Sequence, residues 1–117
     1  MRINEIFQNI QGESRNLGKP SVFIRTQGCN VKCSFCDTAY TFDGSEVGTK
    51  MTVNEIRQSI KKYSAKHIVI TGGEPLIQSD IIDLIDKLIK NDYTIEIETS
   101  GTVDISKFRK NAFKNCK

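Results

Sequence analysis

The sequence predicts an α/β fold in which parallel strands alternate with helices, forming one side of a barrel, truncated to about three strands after an N-terminal extension. Three observations predict it. Short apolar runs rich in β-branched residues alternate with two amphipathic helical stretches. Each strand candidate ends in glycine-rich or polar sequence. The 117 residues amount to one domain but are short for a complete enzyme barrel. Strand–helix–strand order implies a parallel sheet with right-handed crossovers. In such sheets the functional loops gather at the carboxyl ends of the strands.

Residues 3–10 read as an extended segment carrying Ile6, Phe7 and Ile10. Gln11-Gly12-Glu13-Ser14 interrupts it, and residues 16–20 read as a turn. Residues 21–26 place Val22, Phe23 and Ile24 in succession, a short buried strand that Gly28 ends. A cysteine-rich loop follows, and Asp43-Gly44 and Gly48 mark further loop. Thr52-x-x-Glu55 opens a helix, because the threonine hydroxyl and the glutamate carboxylate can each satisfy a backbone N–H of the first turn. Val53, Ile56, Ile60 and Tyr63 recur along it at helical spacing. Residues 66–71 form the second strand, closed by Gly72-Gly73-Glu74-Pro75. Ser79-Asp80 cap a second helix that runs to Lys90, with Ile81, Leu84, Ile85, Leu88 and Ile89 on one face. Residues 93–99 form the third strand, where Ile95 and Ile97 alternate with Glu96 and Glu98.

Composition narrows the function. Hydrophobic residues make up 38%, enough for a modest core. A net charge of +3, with lysines spread over the chain, does not build a phosphate-binding stripe and argues against nucleic acid. No apolar run approaches the roughly 20 residues of a membrane span, and no apolar stretch follows a basic start. The expected compartment is the cytoplasm. Four cysteines without an export signal point to metal or redox chemistry rather than a disulfide frame.

Cys29, Cys33 and Cys36 form a C-x3-C-x2-C loop. Three thiolates on one short loop can each hold an iron of a 4Fe–4S cluster and leave the fourth iron open to a ligand. A structural zinc site would need a fourth ligand, for which only Cys116 and His67 are available. A closed ferredoxin-type cluster using Cys116 has unusual spacing. Cys116 reads more simply as an incidental thiol, and His67 as an ordinary strand-end residue. Phe35 lies in the last cysteine gap and can pack beneath the loop. In the turn after the second strand, Gly72 and Gly73 permit close backbone approaches denied to other residues. Glu74 adds a charged acceptor and Pro75 stiffens the exit. Alternation puts Glu96 and Glu98 on one face, with Glu98 and Ser100 nearer the strand end. A solvated polar face on an edge strand would explain the same alternation.

The cysteine loop, followed one strand–helix unit later by Gly72-Gly73-Glu74-Pro75, resembles the radical S-adenosylmethionine (SAM) superfamily. The resemblance implies that Cys29, Cys33 and Cys36 hold a 4Fe–4S cluster whose open iron chelates the methionyl end of SAM. Reductive cleavage of SAM then yields a 5′-deoxyadenosyl radical that abstracts hydrogen from substrate. It also implies SAM contacts at Phe35, Cys36, Asp37, Gly72, Gly73 and Glu74, with Glu98 and Ser100 placed for the ribose hydroxyls. Ile6 through Ser14, Gly18-x-Pro20, Phe23-Ile24-Arg25-x-x-Gly28-Cys29-Asn30 and Cys36-Asp37-Thr38-x-Tyr40 narrow the choice. This series is similar to the 7-carboxy-7-deazaguanine synthases, from about residue 4 to residue 102.

That family is a set of carbon–nitrogen lyases on the queuosine and archaeosine routes. They convert 6-carboxy-5,6,7,8-tetrahydropterin to 7-carboxy-7-deazaguanine with Mg2+, the cluster and SAM. They fold as partial barrels and are usually homodimers fed by an electron donor such as flavodoxin or ferredoxin. By position, Ile10, Gln11, Gly12, Glu13, Arg25 and Thr71 would contact the pterin, and Thr38 would offer a hydroxyl to Mg2+. A glutamine amide and a glutamate carboxylate suit the donor–donor–acceptor edge of a pterin. Arg25 suits the substrate carboxylate, although an ion pair with Glu13 or Glu5 is the other use for it. Thr38 could equally cap its own loop. On this resemblance, residues 1–117 are the N-terminal part of a single core domain. Relatives continue for about as long again, and the last residues look like a cut end. The isolated polypeptide is therefore expected to turn over little or not at all. Another radical SAM enzyme, such as a glycyl-radical activating enzyme, would share the cysteine loop and the Gly-Gly-Glu-Pro turn but not the Gln11-Gly12-Glu13 and Arg25 set. A zinc or iron–sulfur binding module without activity is the remaining alternative.

Overall fold

Three parallel strands form the centre and one edge of the sheet, as the apolar runs predict. The computed structural model describes residues 1–30, 39–41, 44 and 47–106. Five strands are present: β1 (Arg2–Ile10), β2 (Pro20–Thr26), β3 (Thr49–Lys50), β4 (His67–Gly72) and β5 (Thr94–Ile97). Two helices, α1 (Val53–Ile60) and α2 (Ile81–Lys90), and two 3-10 turns, Ala39–Thr41 and Pro75–Ile77, complete the described elements. The strand order is β3-β1-β2-β4-β5. β2 pairs with β4, and β4 with β5, in parallel; β1 runs antiparallel to both β2 and β3.

The sheet is therefore mixed: three strands run parallel as expected, and the N-terminal extended segment adds an antiparallel strand to them. The extension is a nine-residue strand with seven registered partners in β2, from Ile3↔Thr26 to Ile10↔Pro20. The two-residue β3 was not anticipated, because two residues carry no periodicity. Antiparallel pairing has a positional consequence. The loop after β1 emerges beside the start of β2, so residues 11–19 lie at the amino ends of the parallel strands. The cysteine loop leaves their carboxyl ends. About six residue steps of β2 separate the two, roughly 20 Å.

Both helices pack on one face of the sheet. Val22, Ile24, Ile68, Ile70, Ile95 and Ile97 meet Val53, Ile56, Ile60, Leu84, Ile85 and Leu88 in one buried cluster. Each such side chain withdrawn from water contributes about 1.5–3 kcal/mol. The Thr52 capping box is present: its Oγ1 accepts from the Glu55 N–H at 3.1 Å, and its own N–H donates to Glu55 Oε1 at 3.5 Å. Asp80 occupies the N-cap position of α2 but makes no side-chain cap bond. Its carboxylate instead accepts from the Met1 α-amino group at 3.0 Å, which corrects the expected cap.

Candidate functional site

Strand alternation turns Phe23, Arg25, Val69, Thr71, Glu96 and Glu98 away from the helices. The pairing registers arrange that face in rows. Glu5, Arg25 and Thr71 sit side by side near the carboxyl ends, with Glu98 next to them through a 2.7 Å bond from Thr71 Oγ1. One row down are Phe7, Phe23, Val69 and Glu96. His67, opposite Thr94, lies below.

At the upper rim, the glycine turn is seated on the base of the cysteine loop. The Gly73 N–H donates to the Thr26 carbonyl at 3.3 Å, and the Glu74 N–H to the Gly28 carbonyl at 2.8 Å. A Cβ on Gly73 would lie 2.0 Å from the Gly28 oxygen and 2.8 Å from Cys29 Cβ; one on Gly72 would lie 2.3 Å from the Thr26 oxygen. The clashes are with backbone, so no side-chain movement relieves them. The paired glycines are thus required for strand-to-loop contact, and they place the turn directly against Cys29. Cys29 is a free, partly exposed thiol, fit to serve as a thiolate ligand. Phe35, Cys33, Cys36, Asp37, Thr38 and Cys116 lie outside the described residues.

Glu74 is fully buried. Its carboxylate accepts from the Leu76 N–H at 3.1 Å, Thr99 Oγ1 at 2.7 Å and the Ser100 N–H at 2.8 Å, and from the Ser100 hydroxyl. It braces the end of β5 against the glycine turn. Asn30 Nδ2 donates to Thr102 Oγ1 at 3.1 Å, linking the cysteine loop to the same strand end. Gly72, Gly73, Glu74, Ser100 and Cys29 therefore converge on one rim, with Thr71 and Glu98 just beneath.

Arg25 donates from Nε to Glu5 Oε1 at 2.8 Å, the ion pair weighed from sequence. Its guanidinium also lies 5.8 Å from the Phe7 ring centre and 5.9 Å from that of Tyr40. Phe7 and Phe23 stack with centroids 5.1 Å apart. The result is an aromatic wall beside a cation whose Nε is already occupied.

At the opposite end, Gln11 is 2% exposed, whereas Ile10 is 61% exposed. Gly12 and Glu13 are also exposed. The Glu13 N–H donates to Gln11 Oε1 at 3.2 Å. Gln11 Nε2 donates to Glu96 Oε1 at 2.9 Å. Ser14 Oγ and Asn16 Nδ2 also donate to this carboxylate, at 2.6 and 2.7 Å. Glu96 is 0% exposed, so the solvated-face explanation does not hold for it; the 11–16 loop folds over it. His67, expected as an ordinary strand-end residue, is buried and bonds Glu96 Oε2 at 3.2 Å and Thr94 Oγ1 at 2.8 Å. Because a carboxylate only accepts, the ring donates from Nε2 and accepts at Nδ1. Burial holds His67 below its ordinary value against the opposing pull of Glu96. Burial raises Glu96, but bonds from Ser14, Asn16 and His67 outweigh it and hold the carboxyl low. A neutral imidazole thus faces an ionised carboxylate. The only local hint of this cluster is a charge placed between isoleucines on a buried strand.

Comparison with known proteins shows the family of the chain. The family model described as "Radical SAM superfamily" matches residues 23–114. The chain belongs to the radical SAM superfamily. Within it, the chain is 43% identical over 110 residues to the 7-carboxy-7-deazaguanine synthase of Aquifex aeolicus, covering 92% of this chain and 48% of that protein. It is 49% identical over 102 residues to that of Rhodopirellula baltica, covering 87% and 39%. The crystal structure of QueE from Escherichia coli superposes with a TM-score of 0.78 at 41% identity, covering 88% of this chain and 54% of that one. The chain spans about half or less of the length of these relatives. Among the described residues, no helix is long and apolar enough to cross a membrane.

Proposed function

We propose that this chain carries the cluster-binding and substrate-facing part of a radical SAM 7-carboxy-7-deazaguanine synthase. The reaction converts 6-carboxy-5,6,7,8-tetrahydropterin to 7-carboxy-7-deazaguanine in queuosine and 7-deazapurine biosynthesis. The observation that carries the reading is the seating of Gly73 and Glu74 on Gly28-Cys29, directly above the Arg25–Thr71 row. On this reading residues 1–117 belong to one core domain, and the sheet is one side of a partial (β/α) barrel whose lumen is the face bearing Arg25.

Cys29, Cys33 and Cys36 hold the 4Fe–4S cluster. Bound together, cluster and SAM supply a hydrogen-abstracting organic radical. Gly72, Gly73, Phe35, Cys36 and Asp37 border SAM, and Glu98 and Ser100 lie toward its ribose. Glu74 shapes that wall by bracing Thr99 and Ser100. Thr38 offers its hydroxyl to Mg2+. Glu5 takes Arg25 Nε, which leaves the terminal nitrogens of the guanidinium for a bidentate grip on the substrate carboxylate. The Phe7–Phe23 stack offers an apolar surface to the pterin ring. Thr71 contacts the same end of the substrate. Ile10, Gln11, Gly12 and Glu13 meet the far, pyrimidine edge. The small-molecule pterin substrate, an electron-donor protein of the flavodoxin or ferredoxin type, a homodimer of the full-length protein and a cytoplasmic location complete the proposal.

The test is anaerobic reconstitution with iron and sulfide, followed by electron paramagnetic resonance with and without SAM and by mass detection of 7-carboxy-7-deazaguanine. A cluster signal that SAM perturbs, lost in Cys29→Ala, is the expected result, with little or no product from residues 1–117 alone. Stoichiometric zinc without iron uptake would overturn it.

A further inference from the structure

A carboxylate in the middle of a parallel strand is costly unless its surroundings donate to it. Glu96 sits between Ile95 and Ile97 on β5 and has no exposed surface. Of its four hydrogen-bond donors, three come from one short segment: Gln11, Ser14 and Asn16. The fourth is His67, fixed in turn by Thr94. Oε1 receives Gln11 and Ser14; Oε2 receives Asn16 and His67. Both oxygens are thus used twice, which a carboxylate can do and a neutral amide cannot without turning its NH2 onto one donor pair. Bonds to a charged acceptor are the stronger kind. Two backbone bonds close the loop at its root, Gln11 N–H to the Lys19 carbonyl at 2.9 Å and Gly18 N–H to the Gln11 carbonyl at 2.8 Å. Three side chains of the segment, Gln11, Ser14 and Asn16, thus reach this one carboxylate.

We propose that Glu96 is a positioning residue: its carboxylate clasps the 11–16 loop through buried Gln11 and thereby presents the exposed Gly12 and Glu13 to the heterocyclic edge of the substrate. This rests on the reading that those residues meet the pterin. Glu96 itself touches neither substrate nor cofactor. It is separated from the loop by 80 or more residues of sequence, so it acts as a long-range tether rather than a local turn former.

The experiment uses the reconstituted full-length holoprotein carrying Glu96→Leu, Glu96→Gln or Glu13→Ala, well below each variant's melting temperature. Trypsin reports the loop directly, because Arg15 is exposed within it and Lys19 is followed by proline. Glu96→Leu is expected to speed cleavage after Arg15 at least about tenfold. It should also raise KM for the carboxypterin about tenfold, while kcat, SAM affinity and iron content stay near wild type. Glu96→Gln keeps one acceptor oxygen and should fall between. A purely architectural role would lower melting temperature without splitting KM from kcat. Unchanged cleavage in both Glu96 variants overturns the proposal, as does faster cleavage with unchanged KM. If Glu13→Ala raises KM and the Glu96 variants do not, this inference alone fails. If none of the three changes KM, the substrate assignment of Glu13 fails with it. Should Glu96→Leu not fold, the double variant Ser14→Ala, Asn16→Ala removes the donors from the loop side and must give the same two effects.

Discussion

Gly73 shows how much one hydrogen atom in place of a methyl group can decide. Its missing Cβ is what lets the turn after β4 rest on the Gly28 carbonyl, 2.0 Å from where that atom would be. Gly73→Ala should cost about 2–3 kcal/mol, since backbone rather than a flexible side chain must yield. It should also lower iron per chain after reconstitution, because the displaced contact includes Cys29. Gly12 is the contrast: nothing lies within 4 Å of a Cβ built there. Gly12→Ala should leave stability within about 0.5 kcal/mol and iron content unchanged. Thermal melts and iron assays on the two variants check both statements.

Among the elements, α1 depends on its first turn as much as on its buried face. The Thr52–Glu55 box satisfies two N–H groups that the helix cannot pair internally. Thr52→Ala should destabilise by about 1 kcal/mol, read from the denaturant midpoint with an unchanged slope. This box was legible in the sequence because it is local, as were β2, β4 and β5 from their apolar runs. The antiparallel role of β1 was not, since pairing joins residues whose partner is fixed only by the fold. The meeting of the glycine turn with the cysteine loop was legible because Gly72-Gly73 and Cys29 follow strands that the βαβ order makes neighbours. The Glu96 cluster was not, because its donors come from 80 to 85 residues away and from a histidine that looks ordinary on its own strand. Asp80 misled for a related reason: it stands where a cap belongs, but a distant cation claims its carboxylate.

For the molecule as a whole, the buried His67–Glu96 pair sets the response to acid. Folded His67 is held below its ordinary 6.5. As pH falls past that value, the unfolded chain takes up a proton that the folded chain refuses, so stability drops. Folded Glu96 is held below its ordinary 4.5. Its contribution is present above that value and is lost as pH falls through its lower folded value. Both shifts have the same sign, so stability should decline continuously from near neutrality downward. Urea unfolding from neutral to about pH 4 checks this. His67→Gln should flatten the upper part of the decline and leave the lower part.

The close seating of the glycine turn has a further effect on assembly. Were β4 to pair with β2 one residue out of register, either Glu74 or Gly72 would meet Gly28, and a Glu74 Cβ would occupy space that admits only hydrogen. The ligand loop would then be pushed out of shape at its first cysteine. Metal loading would thus proofread strand alignment in one direction: a sheet slipped so that Glu74 meets Gly28 is refused its iron, and the refusal is visible as a colourless protein.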